Sequence, residues 1–386
     1  MGKPDFGLTL FPKLKTGIYI RRVNRFVIEC SIDGKELMVH LPNPGRLWEL
    51  LFPGSKIYLV DNQDTWKRKT RYTAVAVERK DRPVLLHTQL ANTVVKWLLE
   101  DHRIPGLEDA EILKSEAVVG HSRFDFLLQR KNQPFLLEVK SCTLFGNKIA
   151  MFPDAITARG KKHVIELAEL SGKGMHCGII FIVHCLQARY FLPDYHTDFE
   201  FARALYESRN KLILKAIAVE WGKDLTLGSH IHELVIPWDL IGMEAGDSGS
   251  YILILHIPEN TEITVGKLGA VLFRKGYYLY AGSARKNLKK RIERHLRKRK
   301  KFFWHIDYLR DKADYCMALP IRSRTSVEHE LAEALSNISD WFIQGFGSSD
   351  CSCKTHLFGM QDNPIDNPQF MDILLNFRIN RLEREL

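Results

Sequence analysis

The nine residues CGIIFIVHC, at 177–185, constrain the fold most, because they form an apolar run with no period-two alternation. A strand that is apolar on both faces has to be covered on both faces, so it belongs in a sheet flanked by other layers. Helical patterns surround it: TVVKWLLEDH and KKHVIELAEL lie upstream, with the strand-like segments FDFLLQ and PFLLEVKSCT between them. Strands mixed with helices predict an α/β layer structure from about residue 88. The earlier part reads differently. IYIRRV and RFVIECSI lead to Asp33-Gly34, a hairpin dipeptide, and KELMVHL, SKIYLV and RYTAVAVE follow. Five or so short strands in that length predict a small closed or half-closed barrel. A small, polar stretch, MEAGDSG, predicts a linker. Beyond it YILILHI and GYYLYAGS predict two more strands, followed by a basic helix.

At 386 residues the chain has room for two or three domains. With 45% hydrophobic and 26% charged residues, it has the profile of packed globular domains. No apolar run approaches the roughly 20 residues that span a bilayer. The opening MGKPDFGLTLFPKLKTG lacks the pattern of a secretory signal. Seven scattered cysteines predict reduced thiols in a cytoplasmic protein rather than a disulfide framework.

The formal net charge is +10, and residues 285–301 carry eleven Lys or Arg against one acid, Glu293. That stretch alone equals the whole excess. Like charges this dense repel one another, and a polyphosphate relieves them best, ahead of an acidic protein or an anionic membrane. Nucleic acid is therefore the expected partner, and a membrane is not. In the barrel segment Arg21, Arg22, Arg25, Lys67, Arg68, Lys69 and Arg71 are interleaved with Tyr19, Phe26, Trp66 and Tyr72. This mixture suits a groove that tracks a nucleic-acid backbone. Aromatics in the core and basic residues in water form the alternative.

The segment FDFLLQ-RKNQ-PFLLEVK reads as a hairpin. A turn centred between Lys131 and Asn132 sets Asp125 directly opposite Glu138, with Cβ atoms ~4.5–5.5 Å apart. Lys140, two residues on, points to the same face as Glu138. Two opposed carboxylates in an apolar sheet repel each other, and a divalent cation relieves the repulsion. Mg2+ suits a few carboxylates with waters and a substrate phosphate; Mn2+ is the second choice. Lys140 is then placed to orient a water or stabilise charge on phosphorus. The plainer alternative is an ion pair between Lys140 and one acid.

Taken in order, HLPNPGRL and, five residues on, PGSKIYL, then KRKTRYT, SRFDFLL, LLEVKSCTL and MFPDAITARGKKHVIEL resemble the sugar fermentation stimulation protein (SfsA) family. The resemblance covers nearly all of residues 12–240. It implies an N-terminal OB-fold, then a PD-(D/E)XK nuclease-like domain, and a DNA-binding role. It puts Asp125, Glu138 and Lys140 in the nuclease signature. Asp154, Thr157, Arg159, Lys162 and His163 fall in the family's FPDAxTxRGxKH stretch, expected as a phosphate-facing helix start, with ordinary capping as the alternative. It also leads us to expect a glutamate within residues 92–98. This chain has none there, and Glu100 is the nearest substitute.

Further on, GSYILIL, GYYLYAGSA and LKKRIERHL resemble the GIY-YIG endonuclease domain. WHIDYL, SVEHELAEAL and GFGSSDCSCKTHLF narrow this to a small GIY-YIG-like family over about residues 249–360. Ser250 stands where the family name has isoleucine. Tyr251 and Tyr280, on paired strands, are expected to activate or orient a water. Arg291 and His295 share one helix face, where the arginine can hold phosphate oxygens. Glu328 is expected to hold a divalent ion, with Glu330 as the alternative. Lys289, Lys290, Arg294 and Lys298 of the basic helix are expected on phosphates. Cys351, Cys353 and His356 form C-x-C-x2-H beside Asp350, narrower than the usual zinc spacing. A structural loop is the preferred reading there and metal binding the alternative.

The expected fold is thus multidomain α+β: an OB-like barrel at 1–83, a PD-(D/E)XK nuclease-like α/β domain at 84–241, a linker at 242–249 and a GIY-YIG-like α/β domain at 250–386. The expected function is DNA binding with metal-dependent phosphodiester hydrolysis at two candidate sites, DNA being favoured over RNA. The rivals are a non-catalytic DNA-binding regulator and an RNA-binding or RNA-processing factor.

Overall fold

The computed structural model describes residues 7–62, 70–348 and 351–386. It divides into two compact units, one running to Asp194 and then through Asp198–Trp238, the other holding Asp239–Glu385 with Tyr195–Thr197.

The first unit opens with strands β1 (Lys15–Asn24), β2 (Val27–Ile32), β3 (Lys35–His40), β4 (Lys56–Asp61), β5 (Tyr72–Arg79) and β6 (Arg82–Leu85). β1 pairs with both β2 and β4, β4 pairs with β5, and a short parallel ladder between β3 and β5 closes the ring. The result is a five-strand closed barrel of OB type. Asp33 and Gly34 both take positive φ (51° and 77°), as a two-residue hairpin turn with the sheet's twist requires. Ile28, Cys30 and Ile32 alternate into the core. Tyr19 and Tyr72 are also core residues, while Phe26 is exposed. The alternative reading therefore holds for those two tyrosines. Trp66, Lys67, Arg68 and Lys69 lie outside the described residues.

Helix α1 (Leu90–Glu100) leads into a mixed sheet of β7 (Glu111–Val119), β8 (Ser122–Arg130), β9 (Gln133–Cys142), β12 (His176–Val183), β14 (Ile213–Trp221) and β15 (Leu227–Glu233), in the order β15-β14-β12-β9-β8-β7. A small sheet of β10 (Leu144–Phe145), β11 (Ile149–Phe152) and β13 (Tyr190–Pro193) lies beside it, with helices α2 (Ala158–Gly172) and α3 (Phe199–Ser208). The apolar run became β12, parallel to both neighbours, β9 and β14. Ile179, Phe181 and Val183 pack in one core cluster and Ile180 and Ile182 in another, so both faces are covered as its sequence demanded. Parallel strands need crossovers, and α2 and α3 supply them.

Helix α4 (Trp238–Glu244) is followed by a five-stranded antiparallel sheet of β16 (Gly249–Ile257), β19 (Gly276–Ala284), β20 (Tyr315–Arg322), β21 (Trp341–Phe342) and β22 (Leu357–Met360), in the order β20-β16-β19-β22-β21. β17 (Thr261–Thr264) and β18 (Ala270–Phe273) make a separate hairpin, and α5 (Leu288–Leu296), α6 (His305–Lys312), α7 (Glu328–Ser336) and α8 (Pro368–Arg378) complete the unit. Two details differ from expectation. The stretch expected as a linker starts inside α4, where buried Glu244 pairs with Arg381 at 2.5 Å. The basic run is helical only as far as Leu296, and residues 297–301 leave the helix.

Candidate functional site

In the β8–β9 hairpin Lys131 and Asn132 take φ of 49° and 61°, a tight turn of the primed type. The ladder runs from Arg130 opposite Gln133 to Phe126 opposite Leu137, and one further step in that register sets Asp125 opposite Glu138. Asp125 Oδ2 accepts from the Val139 amide at 2.7 Å, and Oδ1 accepts from Asn92 Nδ2 at 2.6 Å. Glu138 is 3% exposed, and its Oε1 accepts from Lys140 Nζ and from His163 Nδ1, the latter at 2.6 Å. Its other oxygen, Oε2, is buried with no hydrogen-bond partner. A buried carboxylate oxygen left bare is costly, and a cation would satisfy it.

The two acids titrate apart. Burial and the charge of Glu138 push the Asp125 carboxyl up. Burial would raise Glu138 as well, but the His163 hydrogen bond and Lys140 outweigh it and hold Glu138 below its ordinary range. Two donors on one oxygen thus keep Glu138 ionised, with its second oxygen free. Both acids, Asn92, Lys140, Arg25 and Arg159 line one cleft of about 380 Å³. Asn92 is the residue that reading the sequence missed. It stands on α1 where the resemblance led us to expect an acid, while Glu100 sits exposed at the end of that helix, 3.8 Å from Lys96.

The cleft is bounded by a close approach between barrel and sheet. A Cβ on Gly45 would lie 2.2 Å from Asp154 Oδ2, so only glycine fits, and Asp154 accepts from the Leu47 amide at 3.2 Å. Near it Glu49 is buried with Oε1 unpartnered. Burial first, then the charge of Asp154, push its carboxyl up to about 8, with Arg79 opposing and Asp194 adding to the rise. The folded state therefore holds a proton that the unfolded chain releases, and stability falls as pH rises from about 4.5 to about 8. We expect the urea midpoint to drop between pH 5.5 and 8.5 in the wild type and to drop less in Glu49→Gln. Equal drops would remove Glu49 as the cause.

The other residues expected on phosphates divide into two groups. Arg25 and Arg159 are exposed at the cleft, and Lys162 is exposed 3.5 Å from Glu166. Arg21 pairs with Glu29 at 2.6 Å and Arg71 with Asp61 at 2.8 Å. Arg22 is spent on backbone carbonyls, those of Arg46 at 2.6 Å and Arg25 at 2.8 Å. His163 does not face a phosphate: it is 4% exposed, packs edge-on to Phe124 and donates to Glu138. Arg159, one helical turn earlier on the same side of α2, donates its Nε to His163 Nε2 at 3.4 Å and is itself exposed, as is Lys162. Thr157 caps α2, accepting from the Gly160 amide at 3.0 Å.

In the second unit, Tyr251 on β16 pairs with Gly282 on β19, and a Cβ on Gly282 would lie 2.5 Å from the tyrosine ring. The glycine of YAG therefore makes room for Tyr251. Tyr280 lies beside it, ring centres 6.5 Å apart. Tyr251 is 1% exposed, and burial, opposed by Arg291 and aided by Glu328, holds its phenol protonated well beyond neutral pH. It contacts His295 Nε2 at 3.0 Å as a neutral hydroxyl. Arg291 donates to the Ser283 carbonyl at 2.7 Å and lies over Trp304. Glu328 opens α7; Ser283 Oγ donates to one of its oxygens and His356 Nδ1 lies 3.0 Å from the other, whereas Glu330 is exposed. Burial would raise Glu328, and His356 and Ser283 outweigh it and hold it low.

The basic run splits as well. Arg294 forks onto Asp307 at 3.1 and 2.9 Å, and Lys300 reaches the same acid at 2.9 Å. Asp307 is fully buried and has no signal in the sequence beyond WHIDYL. Lys289, Lys290 and Lys298 remain exposed. Among the described residues no helix is long and apolar enough to cross a membrane.

Comparison with known proteins agrees with this division. A model described as the SfsA N-terminal OB domain matches residues 20–86, and one described as the sugar fermentation stimulation protein RE domain matches 89–224. A sugar fermentation stimulation protein homolog of Pyrobaculum islandicum is 39% identical over 232 residues, 59% of this chain and 95% of the relative. The chain belongs to the sugar fermentation stimulation protein family. The homolog of Methanothermobacter thermautotrophicus is 39% identical over 189 residues, 49% of this chain and 78% of its own length. Within the family, the solved structure of Pyrococcus furiosus SfsA in complex with Ca2+ is 28% identical with a TM-score of 0.55, covering 60% of this chain and 98% of its own. The second unit carries a different match: residues 250–377 fit the model described as a domain of unknown function, DUF123.

Proposed function

We propose that the chain binds nucleic acid, DNA ahead of RNA, and hydrolyses phosphodiesters at the Asp125–Glu138 cleft with a divalent cation, Mg2+ or Mn2+. The bare, buried Oε2 of Glu138 beside Asp125 carries this reading. The donor set is all oxygen from carboxylates, which suits a hard cation. The family member solved with Ca2+ supports the same class of ion. Bound there, the ion would polarise the phosphate and lower the pKa of its water. Asp125 and Glu138 supply the ligands, and the donors from Asn92, Val139 and His163 fix their rotamers. Lys140 faces the developing charge on phosphorus, and Arg25 and Arg159 hold flanking phosphates at the cleft.

In the second unit Tyr251, Tyr280, Arg291, His295 and Glu328 form a second candidate centre, GIY-YIG-like in its motif. Tyr251 acts there as a hydrogen-bond donor, since its phenol stays protonated. One observation favours the rival reading, binding without cleavage: Asn92 stands where a further acidic ligand was expected.

The deciding experiment offers single- and double-stranded DNA and RNA to the full chain with Mg2+, with Mn2+ and without metal. Binding with no cutting under any condition rejects the enzymatic reading. Salt provides a further check. Each phosphate contact contributes about −0.9 to the slope of log affinity against log salt on duplex DNA. Replacing the exposed Lys289, Lys290 and Lys298 together by Gln should flatten that slope by up to about 2.7. An unchanged slope would assign these residues to something other than phosphate.

A further inference from the structure

We propose that the second unit holds a structural zinc ion on Cys351, Cys353, His356 and His329, pinning the loop that carries the cysteines to the start of α7. The proposal is independent of the reading of the first-unit cleft.

The four side chains come from two places in the sequence, the loop before β22 and the first turn of α7. One ligand atom from each lies within 4.8 Å of every other. Cys353 Sγ is 3.2 Å from His329 Nδ1, and Cys351 Sγ is 3.4 Å from His356 Nε2. A tetrahedral zinc with bonds of roughly 2.0–2.3 Å has its ligand atoms about 3.3–3.8 Å apart. The four atoms therefore need only small shifts to enclose an ion. Two sulfurs and two imidazole nitrogens, with no oxygen among them, suit zinc and suit neither Mg2+ nor Ca2+.

The surroundings are those of a built site. With Nε2 turned to the cysteine, His356 presents Nδ1 to Glu328 Oε1 at 3.0 Å. A metal-bound imidazole whose other nitrogen donates to a carboxylate is the usual outer arrangement at zinc, and it fixes the tautomer and the ring plane. Ser283 holds the other oxygen of that carboxylate. The limbs of the loop are tied by Gly345 N to the Lys354 carbonyl at 2.9 Å and His356 N to the Phe346 carbonyl at 2.8 Å. Phe346 and His356 are buried, the cysteines are half-buried and His329 is exposed, so an ion can enter from one side. As the thiols bind they release their protons, and two thiolates neutralise the dication. Glu328 would thus serve the zinc centre through His356, and the zinc would hold Glu328 in position in turn.

The test uses the full chain, stripped of metal under reducing conditions and titrated with Co2+ and then Zn2+. We expect thiolate-to-cobalt charge-transfer absorption and the visible bands of a tetrahedral ion, both lost when one equivalent of zinc displaces the cobalt. The Cys351→Ser, Cys353→Ser double variant should show neither. Glu328→Gln should keep the spectrum with affinity lower by roughly 10–100-fold. Glu138→Gln should keep the thiolate-to-cobalt bands, which only the two cysteines can give, whatever it loses at the first-unit cleft; this separates the two ions. Should the double variant fail to fold, the wild-type cobalt spectrum decides alone. Absence of thiolate bands in the wild type, their survival in the double variant, or a Cys351–Cys353 disulfide in reduced-buffer preparations would each overturn the proposal.

Discussion

Glu138→Gln is expected to abolish metal-dependent cleavage, lowering it by more than the roughly 100-fold seen at most when an outer hydrogen-bond partner of a metal ligand is lost. The amide keeps the shape of the side chain and removes one anionic ligand, the one with a bare buried oxygen. Nucleic-acid binding should stay equal or tighten, since a negative charge leaves a cleft lined by Arg25, Lys140 and Arg159. Asp125 adds a pH signature. Burial and Glu138 raise its carboxyl, so at low pH a proton competes with the ion. Apparent Mn2+ affinity in the wild type should therefore rise with pH until Asp125 is fully ionised. In Glu138→Gln one of the two causes of that rise is gone. Calorimetric titration with Mn2+ and a single-turnover cleavage assay measure both. Undiminished cleavage in Glu138→Gln would move the chemistry to the second unit, where Tyr280→Phe and Glu328→Gln are the next variants.

The second large effect is on stability. Asp307→Asn should destabilise the second unit by about 3–5 kcal/mol, because it strands Arg294 and a nearly buried Lys300 on a neutral partner. Asp307 also accepts from the backbone amides of Phe303 at 2.9 Å and Trp304 at 3.1 Å, contacts that Asn keeps in part. The sign of its pH dependence follows from the pKa. Burial would raise the carboxyl, but His295, Arg294 and Lys300 outweigh it and hold it far below the ordinary range. Its contribution is then complete above an ordinary Asp pKa of about 3.9 and fades only below it. The gap between wild type and variant should be flat from pH 5 to 9, as read by hydrogen exchange of peptides covering β16 and β19. A gap below 1 kcal/mol would mean that the two cations find water readily and that Asp307 is not their anchor.

What the sequence disclosed was the part governed by local rules. The hairpin dipeptides, the period-two alternation of β2 and the doubly buried run of β12 are properties of contiguous residues, and the barrel and the mixed sheet follow from them. The opposition of Asp125 to Glu138 was legible for the same reason: a tight turn fixes the register of every pair behind it. What stayed hidden depends on elements that meet only in three dimensions. His163 looks like its exposed neighbours until the helix is docked and one face turns to Glu138. Asp307 sits six residues beyond the charge run, and nothing in WHIDYL says that the acid will be buried beneath Arg294 and Lys300. His329 lies next to Glu328 in sequence, yet its pairing with Cys353 bridges twenty-four residues. The charge run itself was overcounted as a phosphate surface, because two of its members neutralise a carboxylate of their own fold.

The turn at Lys131 and Asn132 works as a ruler for the two acids, each six residues away along its strand. Lengthening it by a single residue would shift β8 against β9 by one position and set a different neighbour opposite Asp125. It would also exchange the core-facing and outward-facing side chains of β8, so Phe126 and Leu128 would lose their places in the core. Chains that miscount this turn would fail to fold before the pairing of the two acids could be lost on its own. The spacing of the two acids is thereby guarded by the same selection that preserves the hydrophobic interior.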